Sequence, residues 1–205
     1  MKKFITLIIS AILVLFLLVG YSINVNSNLS QNIVRLHVIA NSDSDADQAL
    51  KLKVRDAILE HSRKEATKKA YVKSALDTYK EIAQNVVREN GYDYKVFVEY
   101  GNFEFPTKEY DSFRLPAGNY DAVRVKIGAA KGQNWWCVMF PPLCFVDGTT
   151  DAAYAEDKLR SSLDTESYDI ISSQSSEKSP FAIKFKIVEF YGKISGRDKV
   201  YAQTN

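Results

Sequence analysis

The stretch Asn134-Trp-Trp-Cys-Val-Met-Phe-Pro-Pro-Leu-Cys-Phe145 constrains the fold more than any other, because it gathers both tryptophans and both cysteines of the chain into one apolar block. If residues 135–140 are extended, period-two alternation places Trp135, Cys137 and Met139 on one face and Trp136, Val138 and Phe140 on the other. Both faces are then apolar. Burying one indole removes roughly 150 to 250 Å² from water, worth on the order of 4 to 6 kcal/mol. Such a strand is either central in its sheet or waits for a partner on one face. On the second reading Trp135, Trp136, Phe140, Pro141, Pro142 and Phe145 are the contact residues.

The two cysteines sit inside this block, and their state depends on the compartment. The chain opens Met-Lys-Lys and continues with an uncharged apolar run over residues 4–19. That is the basic n-region and h-region of an export segment. A helix from Phe4 to Tyr21 reaches about 27 Å, close to the roughly 30 Å of a bilayer's hydrocarbon core. Residues 1–22 are therefore a cleaved signal or a retained anchor, and a polar stretch over 23–32 reads as a linker. In an exported chain a cysteine pair reads first as a disulfide. Reduced structural thiols, or a catalytic or metal role, are the alternatives. Seven extended steps span about 23 Å, whereas bridged Cα atoms lie within roughly 7 Å, so a Cys137–Cys144 bridge requires the chain to turn back. Pro141-Pro142 can supply that bend, for instance through a cis bond.

Two of the 27 basic residues, Lys2 and Lys3, precede the apolar run, so 25 basic residues face 25 acidic ones beyond it. The exported part is neutral. Nucleic-acid binding rests on an excess of Lys and Arg, so no nucleic-acid partner is expected.

Periodicity organises the remainder. Residues 33–40 alternate Val34, Leu36, Val38 and Ala40 against Arg35 and His37, a strand with one buried face. Asn41-Ser-Asp-Ser-Asp45 follows, and Asp45 with Gln48 has capping-box spacing, which makes Asp45 the expected helix cap. Leu50, Val54, Ala57, Ile58 and His61 form the core stripe of that helix, leaving Lys51, Arg55 and Lys64 in water. A second helix is expected over 67–89, stopped by Asn90-Gly91. Strands follow over 92–100 and 120–127, and the short turn 128–132 joins the second of them to the tryptophan strand as a hairpin. The serine-rich stretch 161–179 reads as a mobile loop outside the core. Residues 181–194 read as strand then short helix, and 197–205 as a polar tail. The expectation is one α+β domain over 33–196, two helices packed on a small, mainly antiparallel sheet.

No catalytic constellation emerges. Zinc would need Cys137, Cys144, His37 and His61, whose spacing matches no metal motif. A cysteine nucleophile would need one of those histidines as its base, and both sit on predicted regular elements as structural residues. The acidic run 41–47 lacks the central glycine and terminal glutamate of a calcium loop. Neither metal nor cofactor is expected, and the chain reads as a binding module.

Two blocks carry a resemblance. Arg35-Leu-His-Val-Ile-Ala-Asn-Ser-Asp-Ser-Asp45, with Gln48-Ala-Leu-Lys51 and Val54-Arg-Asp56, is the first; the 134–145 block preceded by Pro116-Ala-Gly-Asn-Tyr120 is the second. They resemble the stage II sporulation protein R family of endospore-forming bacteria over residues 33–147, and no matching motif follows Gly148. The resemblance implies a signalling protein and not an enzyme. Such proteins are made in the forespore and exported into the space between two membranes. There they trigger a membrane-embedded aspartic protease of the mother cell, which removes the pro-sequence of sigma-E. The expected partners are that protease and, through the N-terminal segment, the membrane. One indole, Trp135 or Trp136, would be the anchor of the contact. The rival readings are a cell-envelope hydrolase with Cys137 or Cys144 as nucleophile, and a structural module of the spore envelope.

Overall fold

A computed structural model describes residues 2–65, 69–110, 112–144, 152–172, 180–195 and 199–204. In chain order it contains α1 (Lys2–Asn32), β1 (Val34–Ile39), α2 (Asp45–Glu65), α3 (Lys69–Ser74), α4 (Leu76–Glu89) and β2 (Val96–Phe105). Then come β3 (Lys108–Glu109), β4 (Arg114–Leu115), β5 (Gly118–Ile127), β6 (Asn134–Phe140), α5 (Ala152–Ser162), α6 (Thr165–Ser172), α7 (Pro180–Ser195) and β7 (Lys199–Gln203). The architecture is α+β, as the periodicities require.

The main sheet has the order β6-β1-β5-β2-β7. The β1–β5 ladder is parallel, and those of β1–β6, β2–β5 and β2–β7 are antiparallel. The expected β5–β6 hairpin does not form, because β1 lies between the two strands. Their connection has to step across one strand, about 10 Å from β5 to β6 at normal strand spacing, and residues 128–133 are long enough for that. β6 is consequently an edge strand and not a central one.

Strand parity sorts the side chains into two cores. Val34, Leu36 and Val38, Val96, Val98 and Tyr100, Val123, Val125 and Ile127, with Cys137 and Met139, pack under α2 and α4. The helices present Leu50, Val54 and Ile58, and Tyr79, Ala83 and Val87, at the three- and four-residue spacing of one helical face. Gly91, at φ 82°, ends α4 as expected. The opposite face holds Phe103, Phe105, Tyr120, Ala122 and Val138, covered by Val25 and Leu29 of α1, Ala155 and Leu159 of α5, Ile170 and Ile171 of α6 and Val188 of α7.

That second layer is where the structure departs furthest from the sequence reading. Residues 23–32 are not a linker. They continue α1, and Ser22, Val25 and Leu29, spaced three and four apart, are buried in the core. Apolar residues 4–19 of the same helix are exposed, and α1 is long and apolar enough to cross a membrane. Within the stretch read as a loop, α6 buries Ser167, Tyr168, Ile170 and Ile171; residues 173–179 lie outside the described set. Residues 181–194 are helical throughout, and the expected tail supplies β7. β1 buries both faces: Arg35 is fully buried and His37 is 5% exposed.

Candidate functional site

The two blocks singled out in the sequence are neighbours in space, since β1 pairs with β6. The loop after β1 locks the connection that delivers β6. Asn41 Oδ1 accepts from the Ala129 N–H at 2.9 Å, and Asp43 Oδ1 accepts from the Gln133 N–H at 2.7 Å. The Gly132 N–H donates to the Ala40 carbonyl at 3.0 Å. Gly132 is required by this approach, because a Cβ there would lie 2.1 Å from the Ser42 carbonyl oxygen. Asp47, 4% exposed, ties the loop to the helix by accepting from Asn41 Nδ2 at 2.8 Å and Ser42 Oγ at 2.5 Å. Burial pushes its carboxyl up, but hydrogen bonds from Ser42, Asn41, Tyr94 and Ser44 outweigh this and hold it below the usual range. The acidic run is thus a structural clamp.

Asp45 is not the helix cap. It is the first residue of α2, and Ser44 Oγ one position earlier accepts the Asp47 N–H. Gln48 donates to the Ser42 carbonyl instead of closing a capping box. Lys51 and Arg55, expected in water, are 4% and 6% exposed. Lys51 donates to the Gln133 carbonyl at 3.0 Å, and the Arg55 guanidinium lies 4.1 Å from the Trp135 ring centre. Both therefore support the block that follows.

On the face away from α2, the cross-strand partners Trp136, His37, Arg124 and Glu99 form one row across β6, β1, β5 and β2. The His37 ring stacks on Trp136 at 3.7 Å between ring centres. Its Nε2 is in hydrogen-bond contact with Asn134 Oδ1 at 2.8 Å. Arg124 is ion-paired with Glu99, which is 3% exposed. Phe105 pairs with Gly118, six residues along β5 from Arg124, yet its ring centre is 4.8 Å from Trp136 and 6.1 Å from His37. The β2–β5 ladder must therefore coil over the row.

Between the row and this overhang lies an open groove of about 670 Å³. Trp136, His37 and Arg124 line it from the sheet, Glu104, Phe105, Pro106 and Thr107 from the overhang, and Glu189 from α7. The Thr107 hydroxyl bonds Glu189 and accepts the Ala117 N–H at 3.0 Å. Below Phe105, the Arg35 guanidinium lies 4.3 Å from that ring centre and 5.1 Å from Tyr120, and donates to Tyr110 Oη at 3.0 Å. Arg35 Nε and Nη1 have no hydrogen-bond partner. An aromatic floor with charged walls suits a protruding side chain of another molecule.

The expected contact residues are not gathered on one surface. Trp136 lines the groove, whereas Trp135 packs on the opposite face against α2, so the two indoles cannot anchor one partner from the same side. Phe140 was expected beside Trp136 and Val138 but packs on the α2 side, because the β1–β6 register is irregular between Val34 and Arg35. Pro141 is buried, Pro142 is half-buried, and Phe145 lies outside the described residues. Cys137 and Cys144 form a disulfide with Cα atoms 5.7 Å apart, and the Phe140–Pro141 bond is cis. Both sulfurs are therefore engaged. Among the described residues no cluster of His, Cys, Asp and Glu could hold a metal ion. Sequence reasoning missed Glu104, Phe105 and Thr107 from the end of β2 and the loop after it, Arg124 from the cross-strand row and Glu189 from α7, which strand order and the helical layer bring to one groove with Trp136. Its one available signal was the polar half of the alternation in residues 33–40, Arg35 and His37, set beside an apolar block.

Residues 30–150 match the family model described as stage II sporulation protein R. Among curated proteins, stage II sporulation protein R of Bacillus subtilis (strain 168) is 36% identical over 144 residues, 65% of this chain and 63% of that protein. The chain thus spans less than two thirds of that relative's length. No solved structure matches the chain. The family match contains the row Trp136, His37, Arg124 and Glu99, but not Glu189.

Proposed function

The chain belongs to the stage II sporulation protein R family and has a role in sporulation; from that premise we propose that it is an exported activator of the membrane-embedded aspartic protease that cleaves pro-sigma-E. It is a messenger and performs no bond cleavage itself. The observation that carries this reading is the groove at Trp136, open beside an edge strand of a domain whose first core helix begins as an apolar, membrane-length segment. The continuity of α1 supports holding the domain at the membrane surface where the protease lies. The forespore would export it into the intermembrane space, retained by α1 or released after cleavage upstream of the buried Ser22. Docking activates the protease only if the active state binds the domain more tightly than the inactive one. The Cys137–Cys144 bond counts against the hydrolase alternative, because a sulfur in a disulfide is no thiolate.

The test is reconstitution. Protease and pro-sigma-E are produced in a host without sporulation genes, with or without this chain directed across the membrane. Processing is expected only when the chain is present. Equal processing in its absence would remove the proposed role.

A further inference from the structure

We propose that α7 is a second membrane contact: its outer side, with Phe190 and Ile194, lies in the lipid headgroup layer beside α1 and fixes how the domain stands on the bilayer. This deepens the activator reading and rests on its premise that α1 holds the domain at a membrane.

Exposed apolar surface is unevenly distributed along the chain. Beyond the apolar run 4–19, the large hydrophobic side chains exposed among the described residues are Ile23, Phe97, Phe190 and Ile194. Phe97 stands apart on β2, whereas the others sit on α1 and α7, two helices in contact with each other. Ile23, just beyond the run, is 47% exposed, and Phe190 and Ile194 are each 67% exposed.

The packing of α7 decides which side is open. Val188 is buried in the second core, and its carbonyl accepts from Asn26 Nδ2 of α1 at 3.3 Å. A Cβ on Gly192 would lie 2.0 Å from the Ala117 carbonyl oxygen, so this residue presses on the entry to β5. Glu189 bonds the Thr107 hydroxyl. Phe190 and Ile194 are one turn apart and share the side opposite Val188 and Gly192, at about 100° of rotation per residue.

The height of α7 above the bilayer follows from α1. Asn26 lies beyond Val19 by about 10 Å of helical rise. A helix with its side chains has a radius of about 5 to 6 Å, and headgroups extend roughly 5 to 8 Å past the hydrocarbon on each side. With residues 4–19 in the hydrocarbon, the flank of α7 therefore meets the headgroup layer. By sequence α7 also carries Lys184, Lys186 and Lys193 against one carboxylate, Glu189, a composition that suits an interfacial helix.

A lone helical anchor leaves the domain free to turn about the anchor axis, and a contact beside that axis removes the freedom. Glu189 lines the groove and Phe190 follows it, so seating Phe190 in lipid sets the height of one groove wall. The groove is then held close to the bilayer, where the ends of a membrane-embedded partner emerge.

The test places tryptophan at chosen positions of the full chain, reconstituted into phosphatidylcholine–phosphatidylglycerol vesicles, with wild-type emission subtracted. Phe190→Trp and Ile194→Trp should each lose most of the added emission when the lipids carry bromine high on their acyl chains. Phe16→Trp, within the apolar run, should do the same. Quenching of Phe16→Trp alone would overturn the proposal and leave the anchor and the activator reading intact. No quenching at any of the three positions would remove the anchor, and this contact with it. A dimer joined through α7 in the vesicles would assign its outer side to a second copy and likewise overturn the proposal. Quenching at all three positions leaves the contact standing even if the reconstituted protease fails to respond to the chain.

Discussion

Reducing the Cys137–Cys144 bond tests how far the groove strand depends on its own staple. The bridge closes a short loop, with a sequence separation of 7 residues, across the turn that follows β6. On the chain-entropy estimate, closure of a loop this short restricts the unfolded chain enough to stabilise the fold by about 2.5 kcal/mol. For a domain of this size that corresponds to a fall in Tm of roughly 5 to 10 °C on reduction. Cys137 and Cys144 are 3% and 6% exposed, so replacing both by alanine also removes buried sulfur and should cost about 1 to 2 kcal/mol more. The assay is urea unfolding of the full chain in detergent, followed by tryptophan emission, with and without reductant. Because both indoles lie in β6, the signal reports on the strand being released. A reduced protein within about 0.5 kcal/mol of the oxidised one would refute the loop-closure reasoning.

Gly132→Ala should lose about 2 to 3 kcal/mol, because its Cβ would meet the Ser42 carbonyl at 2.1 Å and force the clamp open; an unchanged urea midpoint would contradict the close approach. Arg35→Met keeps volume while removing a buried charge with two unpartnered nitrogens, so it should leave stability unchanged or raise it by about 1 to 3 kcal/mol. Arg35→Ala leaves a cavity and should cost about 2 to 4 kcal/mol, and equal losses in both variants would show that the guanidinium itself is needed. Asp47→Asn tests the clamp's pH dependence. The Asp47 carboxyl is held below its usual range in the folded state, so its stabilisation is present above the unfolded value of about 3.9 and lost as pH falls through the folded pKa. Wild type and Asp47→Asn should therefore differ at neutral pH and converge in acid; a gap that widens on acidification would reverse the sign.

What was legible in the sequence was local. The α2 stripe at Leu50, Val54 and Ile58, the stop at Gly91, the two faces of Trp135 and Trp136 and the bend at Pro141 each follow from periodicity or from a residue's own backbone limits. Strand order was not legible, because nothing in residues 128–133 states that β1 will slip between the strands they join. The second helical layer was hidden by composition. Ser22, Val25 and Leu29 sit in a polar stretch, and Tyr168, Ile170 and Ile171 in a serine-rich one, so their helical spacing carried little contrast. Arg35 and His37 were assigned to water by a rule that gives a strand one wet face, whereas α1 and the C-terminal helices cover that face here. The groove was illegible for a further reason. Its lining comes from four strands, the loop after β2 and α7, and Phe105 reaches Trp136 only through the coil of the β2–β5 ladder.

Pro-sigma-E processing driven by the Trp136→Ala variant tests the central claim most directly, once near-ultraviolet circular dichroism and an intact disulfide show that the variant is folded. The account predicts that processing falls sharply at a dose where wild type is fully active, while Trp135→Ala, altered on the opposite face, retains most of it. Normal processing by folded Trp136→Ala would contradict the claim that the groove at the sheet edge is where the protease is engaged.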